Sequence, residues 1–227
     1  PDTPWQRTSP SRGWLAPLSA LGVLVAIAAV SLVVLPSLLE ETGEFRPSPP
    51  RASPHPGVGK PLDDLALEPL TGDGQSVTLP GLAGTVAVVN FWGTWCAPCR
   101  EEFPHLVEIY REFRQRPDFA MLFVSCAPGR DEEVGPLRQE THDFLEESKY
   151  EVPTHWDPEF RTRRAFHRAA TLQGFPTTFV LDQKGVIRGV WPGYNPNIAH
   201  EIRQLVVQLL AESPPTPKPD DATTKRH

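Results

Sequence analysis

Cysteine is scarce in this chain, with three in 227 residues. Three are too few for a disulfide-held scaffold, and one CxxC without a second ligand pair does not make a structural zinc site. The seven histidines are scattered, so no metal ligand set and no cofactor is predicted. There is also no basic block: 22 Lys and Arg stand against 28 Asp and Glu, a net charge of -6, and this leaves no electrostatic footprint for nucleic acid. No peroxidatic cysteine motif is present either. What the chain has in excess is proline, 27 in all, crowded into residues 47–61 and 214–219. Two polar, extended stretches around a compact middle are the expected result.

The order of segments follows from composition. Residues 1–13 are short, polar and Pro-rich and are expected to be disordered. Residues 14–39 carry no charged side chain, and 21–35 are almost wholly Leu, Val, Ile and Ala, enough for one transmembrane helix. A cleaved signal segment is the alternative, but Ala26 and Ala28, which could mimic its cleavage site, lie inside the apolar run. Arg7 and Arg12 before the helix are matched by Arg46 and Arg51 after it, so charge does not orient it. Residues 40–57 read as a Pro-rich spacer, 58–212 as the folded domain, and 213–227 as a disordered tail.

The chemistry concentrates at Trp95-Cys96-Ala97-Pro98-Cys99. An apolar strand pattern over residues 85–91 feeds this stretch, and Phe103, Leu106, Val107, Tyr110 and Phe113 after it follow helical spacing, with Pro104 predicting a kink. The two thiols therefore belong at a strand-to-helix junction. Free N–H groups and the helix dipole there favour a thiolate at Cys96, and two intervening residues let Cys99 reach the same sulfur. Thiol redox exchange is the expected chemistry.

Around that junction, residues 62–70 and 76–79 predict an N-terminal β-hairpin split by Thr71-Gly72-Asp73-Gly74. Residues 119–125 predict a buried strand and 137–148 a polar helix, with Leu137, Thr141, Phe144 and Leu145 on one face. A short strand over 152–156 precedes a basic helix over 159–170, expected to pack through Phe160 and Phe166. A hairpin over 177–190 turns at Asp182-Gln183-Lys184-Gly185, and a closing helix through Ile198, Ile202, Leu205, Val206 and Leu209 starts at Asn195 or Asn197. Alternating strands and helices predict an α/β domain with a mixed β-sheet flanked by helices. Such sheets place their sites at strand carboxyl ends.

With Trp95-Cys96-Ala97-Pro98-Cys99 on such a turn and Gly174-Phe175-Pro176-Thr177 before a late strand, the middle of the chain resembles the thioredoxin fold. More narrowly it resembles the TlpA/ResA family of membrane-anchored thioredoxin-like proteins, through Asn90-Phe91-Trp92-Gly93-Thr94-Trp95-Cys96, Cys99-Arg100-Glu101-Glu102-Phe103-Pro104 and the run from Phe175 to Asp182. The likeness covers residues 58–211. It implies that Cys96 is the exposed nucleophile, Cys99 the buried resolving thiol and Pro176 a cis-proline facing the disulfide. Trp95, Ala97, Pro98 and Phe175 fall on the face that meets substrate, with Trp95, like Trp92, also reading as packing and Trp95 as a shield for the disulfide, and the Phe175 backbone is free to pair with an extended polypeptide. Asn90 replaces the buried acid of ordinary thioredoxins, and Glu102 matches a glutamate implicated near the family's site, so an acid/base role is expected for it. A reactive dithiol tethered by a single N-terminal helix is expected on the extracytoplasmic, periplasmic side, where it would reduce protein disulfides; the resemblance adds the rest. Apocytochrome c in cytochrome c maturation would be the substrate, with a transmembrane electron donor as partner.

Alternatives stand beside these expectations. The dipeptide Ala97-Pro98 does not fix the potential, so an oxidase donating disulfides remains open. A copper-binding metallochaperone would use both cysteines and a histidine, but none is well placed; His105 reads as a helix-surface residue. Glu102 in a first helical turn could serve the dipole alone. Cys126 at a strand end reads as inert core, with a regulatory partner as the other reading, and Arg161, Arg163, Arg164 and Arg168 read as a solvated face, with docking to an acidic partner as the other option.

Overall fold

In the computed structural model, residues 55–129 and 132–212 are described. Seven strands form one mixed sheet in the order β2-β1-β5-β4-β3-β6-β7. They are β1 Ala66–Thr71, β2 Val77–Thr78, β3 Val86–Trp92, β4 Phe119–Ser125, β5 Thr154–Trp156, β6 Thr177–Leu181 and β7 Ile187–Pro192, and the helices are α1 Ala97–Phe113, α2 Val134–Ser148, α3 Arg161–Ala170 and α4 Ile198–Glu212. β3, β4 and β5 run parallel, whereas β1/β2, β1/β5, β3/β6 and β6/β7 are antiparallel. The arrangement is the mixed thioredoxin-like sheet that the sequence predicts.

β3 organises the core because all seven of its residues are buried. Its side chains alternate between two apolar layers. Val86, Val88 and Trp92 face a layer built with α1, α4 and Leu145 of α2, and Ala87, Val89 and Phe91 face a layer built with Ala165, Phe166 and Ala170 of α3. Each fully buried Val, Leu or Phe contributes roughly 1.5–3 kcal/mol, so this strand and its neighbours anchor the domain. The same alternation turns Asn90 toward α1.

The elements match the sequence pattern with a few differences. α1 continues through Pro104, whose missing N–H leaves the Arg100 carbonyl without its helical donor. α3 begins at Arg161 rather than at 159, because Glu159 and Phe160 both have φ of 57°, outside the helical region. Phe160 consequently stays out of the core, half-buried with the Arg163 guanidinium 4.2 Å from its ring centroid, while Phe166 is fully buried. Asp157 starts this helix instead: its carboxylate accepts from the N–H groups of Thr162 at 2.8 Å and Arg163 at 2.7 Å. In the β6–β7 turn Asp182 accepts from the N–H of Lys184 and of Val186, and Gly185 supplies the required φ of 73°. At the closing helix, the Asn195 side chain accepts from the Asn197 N–H at 2.9 Å.

Among the described residues no helix is long and apolar enough to cross a membrane. The segments expected at 1–13, 14–39 and 213–227, and the spacer up to residue 54, lie outside the described residues.

Candidate active site

The chain leaves β3 at Trp92, turns at Gly93 with the Cys96 N–H donating to the Gly93 carbonyl at 3.2 Å, and enters α1 at Ala97. Cys96 is itself the N-cap of α1, in extended conformation, and its Sγ accepts from the Cys99 N–H at 3.3 Å. The cysteines form a disulfide with their Cα atoms 5.2 Å apart. Cys96 is 5% exposed and Cys99 1%, so in the closed pair the first sulfur is largely covered too; the exposed nucleophile expected from the sequence is only the less buried of two. The reason is local: the turn folds Cys96 back over the first helical N–H groups. Ala97 and Pro98, by contrast, are exposed.

β6 brings the second half of the site. Phe91 pairs with Thr177 and Asn90 with Thr178, so the amino end of β6 abuts the carboxyl end of β3. The Phe175–Pro176 bond is cis, the Pro176 carbonyl accepts from the Gly193 N–H at 2.8 Å, and the Thr177 hydroxyl donates to the Gly174 carbonyl at 2.7 Å. Among the described residues no hydrogen bond engages the Phe175 backbone. Its ring meets Trp95 edge-on, centroids 5.9 Å apart. Trp95 is 45% exposed, and its indole N–H donates to the Cys126 carbonyl at 2.9 Å. A Cβ on Gly93 would collide with the Trp95 Nε1 and lie 2.7 Å from the Cys126 carbonyl, so the indole can lie there only against glycine. Beside this loop, a cavity of about 430 Å³ is lined by Thr171, Gly174, Phe175, Pro176 and Gly193, among others.

Beneath the disulfide lies a buried polar triangle. Glu102, one helical turn after Cys99, is 1% exposed. Its Oε1 accepts from the Asn90 side-chain amide at 3.1 Å and from the Thr178 hydroxyl at 2.8 Å, and the same amide donates to Thr178 at 2.9 Å. Oε2 is buried with no partner among the described residues. Burial pushes the carboxyl up to about 7, against the opposing hydrogen bond from Thr178. Thr178 was not singled out in the sequence, although its strand register with Asn90 and period-two alternation place both under α1.

The remaining candidates lie elsewhere. His105 stands against Tyr194, with 3.4 Å between Nε2 and the phenol oxygen and nearly parallel rings, and not with the cysteines. Among the described residues the one cluster of potential metal ligands is His142, Asp143 and Glu146, all exposed on α2. Cys126 is fully buried, its thiol within 3.5 Å of the Val124 carbonyl, and burial pushes it up to about 12. Of the four arginines on α3, Arg161 pairs with Asp64, Arg168 with Asp63, and Arg163 with Glu132 and Asp157. Arg164 donates to the Glu159 carbonyl. With three of four matched by carboxylates, the row offers little free positive charge to an acidic partner.

Comparison with known proteins agrees with this architecture. The AhpC/TSA family model matches residues 58–190. Thiol-disulfide oxidoreductase ResA of Bacillus subtilis is 27% identical over 135 residues, 59% of this chain and 68% of that protein. Thiol:disulfide interchange protein DsbE of Allochromatium vinosum is 30% identical over 139 residues, 61% of this chain and 68% of that protein. The crystal structure of a secreted thiol-disulfide isomerase from Corynebacterium glutamicum superposes with a TM-score of 0.53 at 25% identity, covering 66% of this chain and 85% of that one. The likeness to ResA drawn from the sequence stands, and the chain belongs to the AhpC/TSA family as a member with a thioredoxin-like fold.

Proposed function

We propose that this thiol-disulfide oxidoreductase reduces protein disulfides outside the cytoplasm through Cys96 and Cys99, held at a membrane by residues 14–39. The observation that carries the proposal is the closed Cys96–Cys99 pair with Cys96 at the N-cap of α1. In the reduced protein the Cys96 thiolate, supported by the Cys99 N–H and the helix dipole, attacks one sulfur of a substrate disulfide. That S–S bond breaks, one substrate thiolate leaves, and a mixed disulfide joins substrate to Cys96. The Cys99 thiolate then attacks the Cys96 sulfur and releases the second substrate thiolate. The substrate gains two electrons and the Cys96–Cys99 disulfide returns.

Glu102 takes the proton that Cys99 gives up, as a buried carboxyl whose pKa of about 7 suits proton exchange near neutrality. Trp95, Ala97, Pro98 and Phe175 form the surface met by the substrate, and Pro176 sits at its edge; the unengaged Phe175 backbone suits strand-like pairing. The names of ResA, DsbE and the secreted isomerase support this reading. Apocytochrome c, with paired thiols that must be reduced before haem attachment, fits as substrate, and a transmembrane dithiol would resupply electrons.

Trapping tests the order of the thiols. Cys99→Ser, treated with an oxidised CxxCH peptide, should accumulate a one-to-one mixed disulfide at Cys96 by mass spectrometry. An adduct on Cys96→Ser and none on Cys99→Ser would reverse the roles.

A further inference from the structure

Trp95, the large exposed aromatic beside the disulfide, lies against Gly93 and Phe175 and is anchored by a hydrogen bond to a single peptide group. Its indole N–H donates to the Cys126 carbonyl at 2.9 Å, and on the other side of that same planar amide the Ala127 N–H donates to Glu132 Oε2 at 2.9 Å. Because the amide is rigid and trans, whatever fixes its N–H also aims its C=O. Glu132 is in turn fixed: its other oxygen accepts from Arg163 Nη2 at 2.8 Å, and its side chain is 3% exposed. Arg163 is held on the far side by Asp157, fully buried, which accepts from both its backbone N–H at 2.7 Å and its Nε at 3.3 Å.

Two buried carboxylates thus surround one nearly buried guanidinium, an arrangement with a desolvation cost that a solvent-facing loop would not need to bear. Its hydrogen bonds reach toward the active site through the Cys126–Ala127 amide. A charged acceptor at the N–H polarises that amide and strengthens its carbonyl as the acceptor for the indole.

We propose that Glu132, held by Arg163 and Asp157, is a positioning residue for Trp95 and through it sets the surface that a disulfide-bearing polypeptide meets. The proposal rests on the assignment of Trp95 to the substrate face, and its two halves are separable. The position of the indole is read by emission, since a disulfide quenches a neighbouring indole and reduction restores it; the part of the redox-linked change that Trp95→Phe removes belongs to Trp95. The substrate surface is read by KM.

In the full chain, Glu132→Ala should remove at least half of the Trp95 share of that emission change. It should raise KM for a disulfide-bonded peptide about fivefold, as expected for one lost hydrogen bond, with kcat nearly unchanged. Glu132→Gln, which keeps an acceptor for the Ala127 N–H, should restore most of both. Glu132→Asp keeps the charge beside Arg163 but falls short of that N–H, so it shifts both readouts in the same direction even if the alanine variant fails to fold. In the Trp95→Phe background, removing Glu132 should change KM no further. Independent, additive effects, or lost stability with emission and KM intact, would overturn the proposal. Trp95→Phe with an unchanged KM would sink the substrate half, whatever the emission shows.

Discussion

β3 and β4 are parallel neighbours, paired in register from Val86 and Phe119 to Trp92 and Ser125, and each delivers a cysteine just past its carboxyl end. The two ends have opposite chemistry. After β3 the chain turns within four residues into a 17-residue helix with Cys96 as its N-cap. After β4, Cys126 extends the pairing, its N–H donating to the Trp92 carbonyl at 2.8 Å, and its fully buried thiol is held up at about 12. The acids differ in the same way. Among the described residues Glu102 below the first pair has no cation beside it and is pushed up to about 7, whereas Glu132 and Asp157 near Cys126 are matched by Arg163. Strand position alone does not set a thiol's surroundings; the path of the chain in the next few residues does.

The sharpest way to break this comparison is to exchange the sulfurs' fates. Cys96→Ser should abolish turnover of a disulfide peptide, because the helix N-terminus then activates no nucleophile. Next comes the acid. Glu102 titrates near 4.5 in an unfolded chain and near 7 in the fold, so the folded state binds its proton more tightly. Its contribution is fully present below pH 4.5 and is lost as the pH rises through 7, about 3 kcal/mol in all. In denaturant titrations at pH 4.5 and 8, Glu102→Gln should lack that share of the decline.

Gly93→Ala should cost roughly 1–3 kcal/mol, because the added methyl meets the indole and the Cys126 carbonyl. Its redox-linked emission should also shift. The smallest effect belongs to the second cysteine: Cys126→Ala should lower stability by about 1 kcal/mol and leave turnover within about twofold. A large loss of turnover there would dissolve the contrast between the two strand ends.

Much of this was legible in the sequence, and for physical reasons. The almost wholly apolar β3, the hairpin at Asp182-Gln183-Lys184-Gly185 and the helix after Cys99 are local patterns, and local patterns are what a sequence displays. Glu102 stood out only through the resemblance, since a carboxylate three residues past Cys99 looks like any first-turn acid. Its neighbours Asn90 and Thr178 lie 12 and 76 residues away and meet it only once β3 and β6 pair. The Arg163 triad was hidden for the same reason: four arginines on one helix read as a solvated face, while Glu132 lies 31 residues earlier. Phe160 misled because spacing cannot show the left-handed backbone that ends the core face at Arg161.

The most direct test of the central claim is the equilibrium redox potential of the Cys96–Cys99 pair in the full chain, with Cys126→Ala in parallel. A reductant of protein disulfides should show a two-electron couple near thioredoxin's roughly -270 mV, unchanged by the Cys126 substitution. A value near roughly -120 mV would instead make the pair a disulfide donor and contradict the proposed direction.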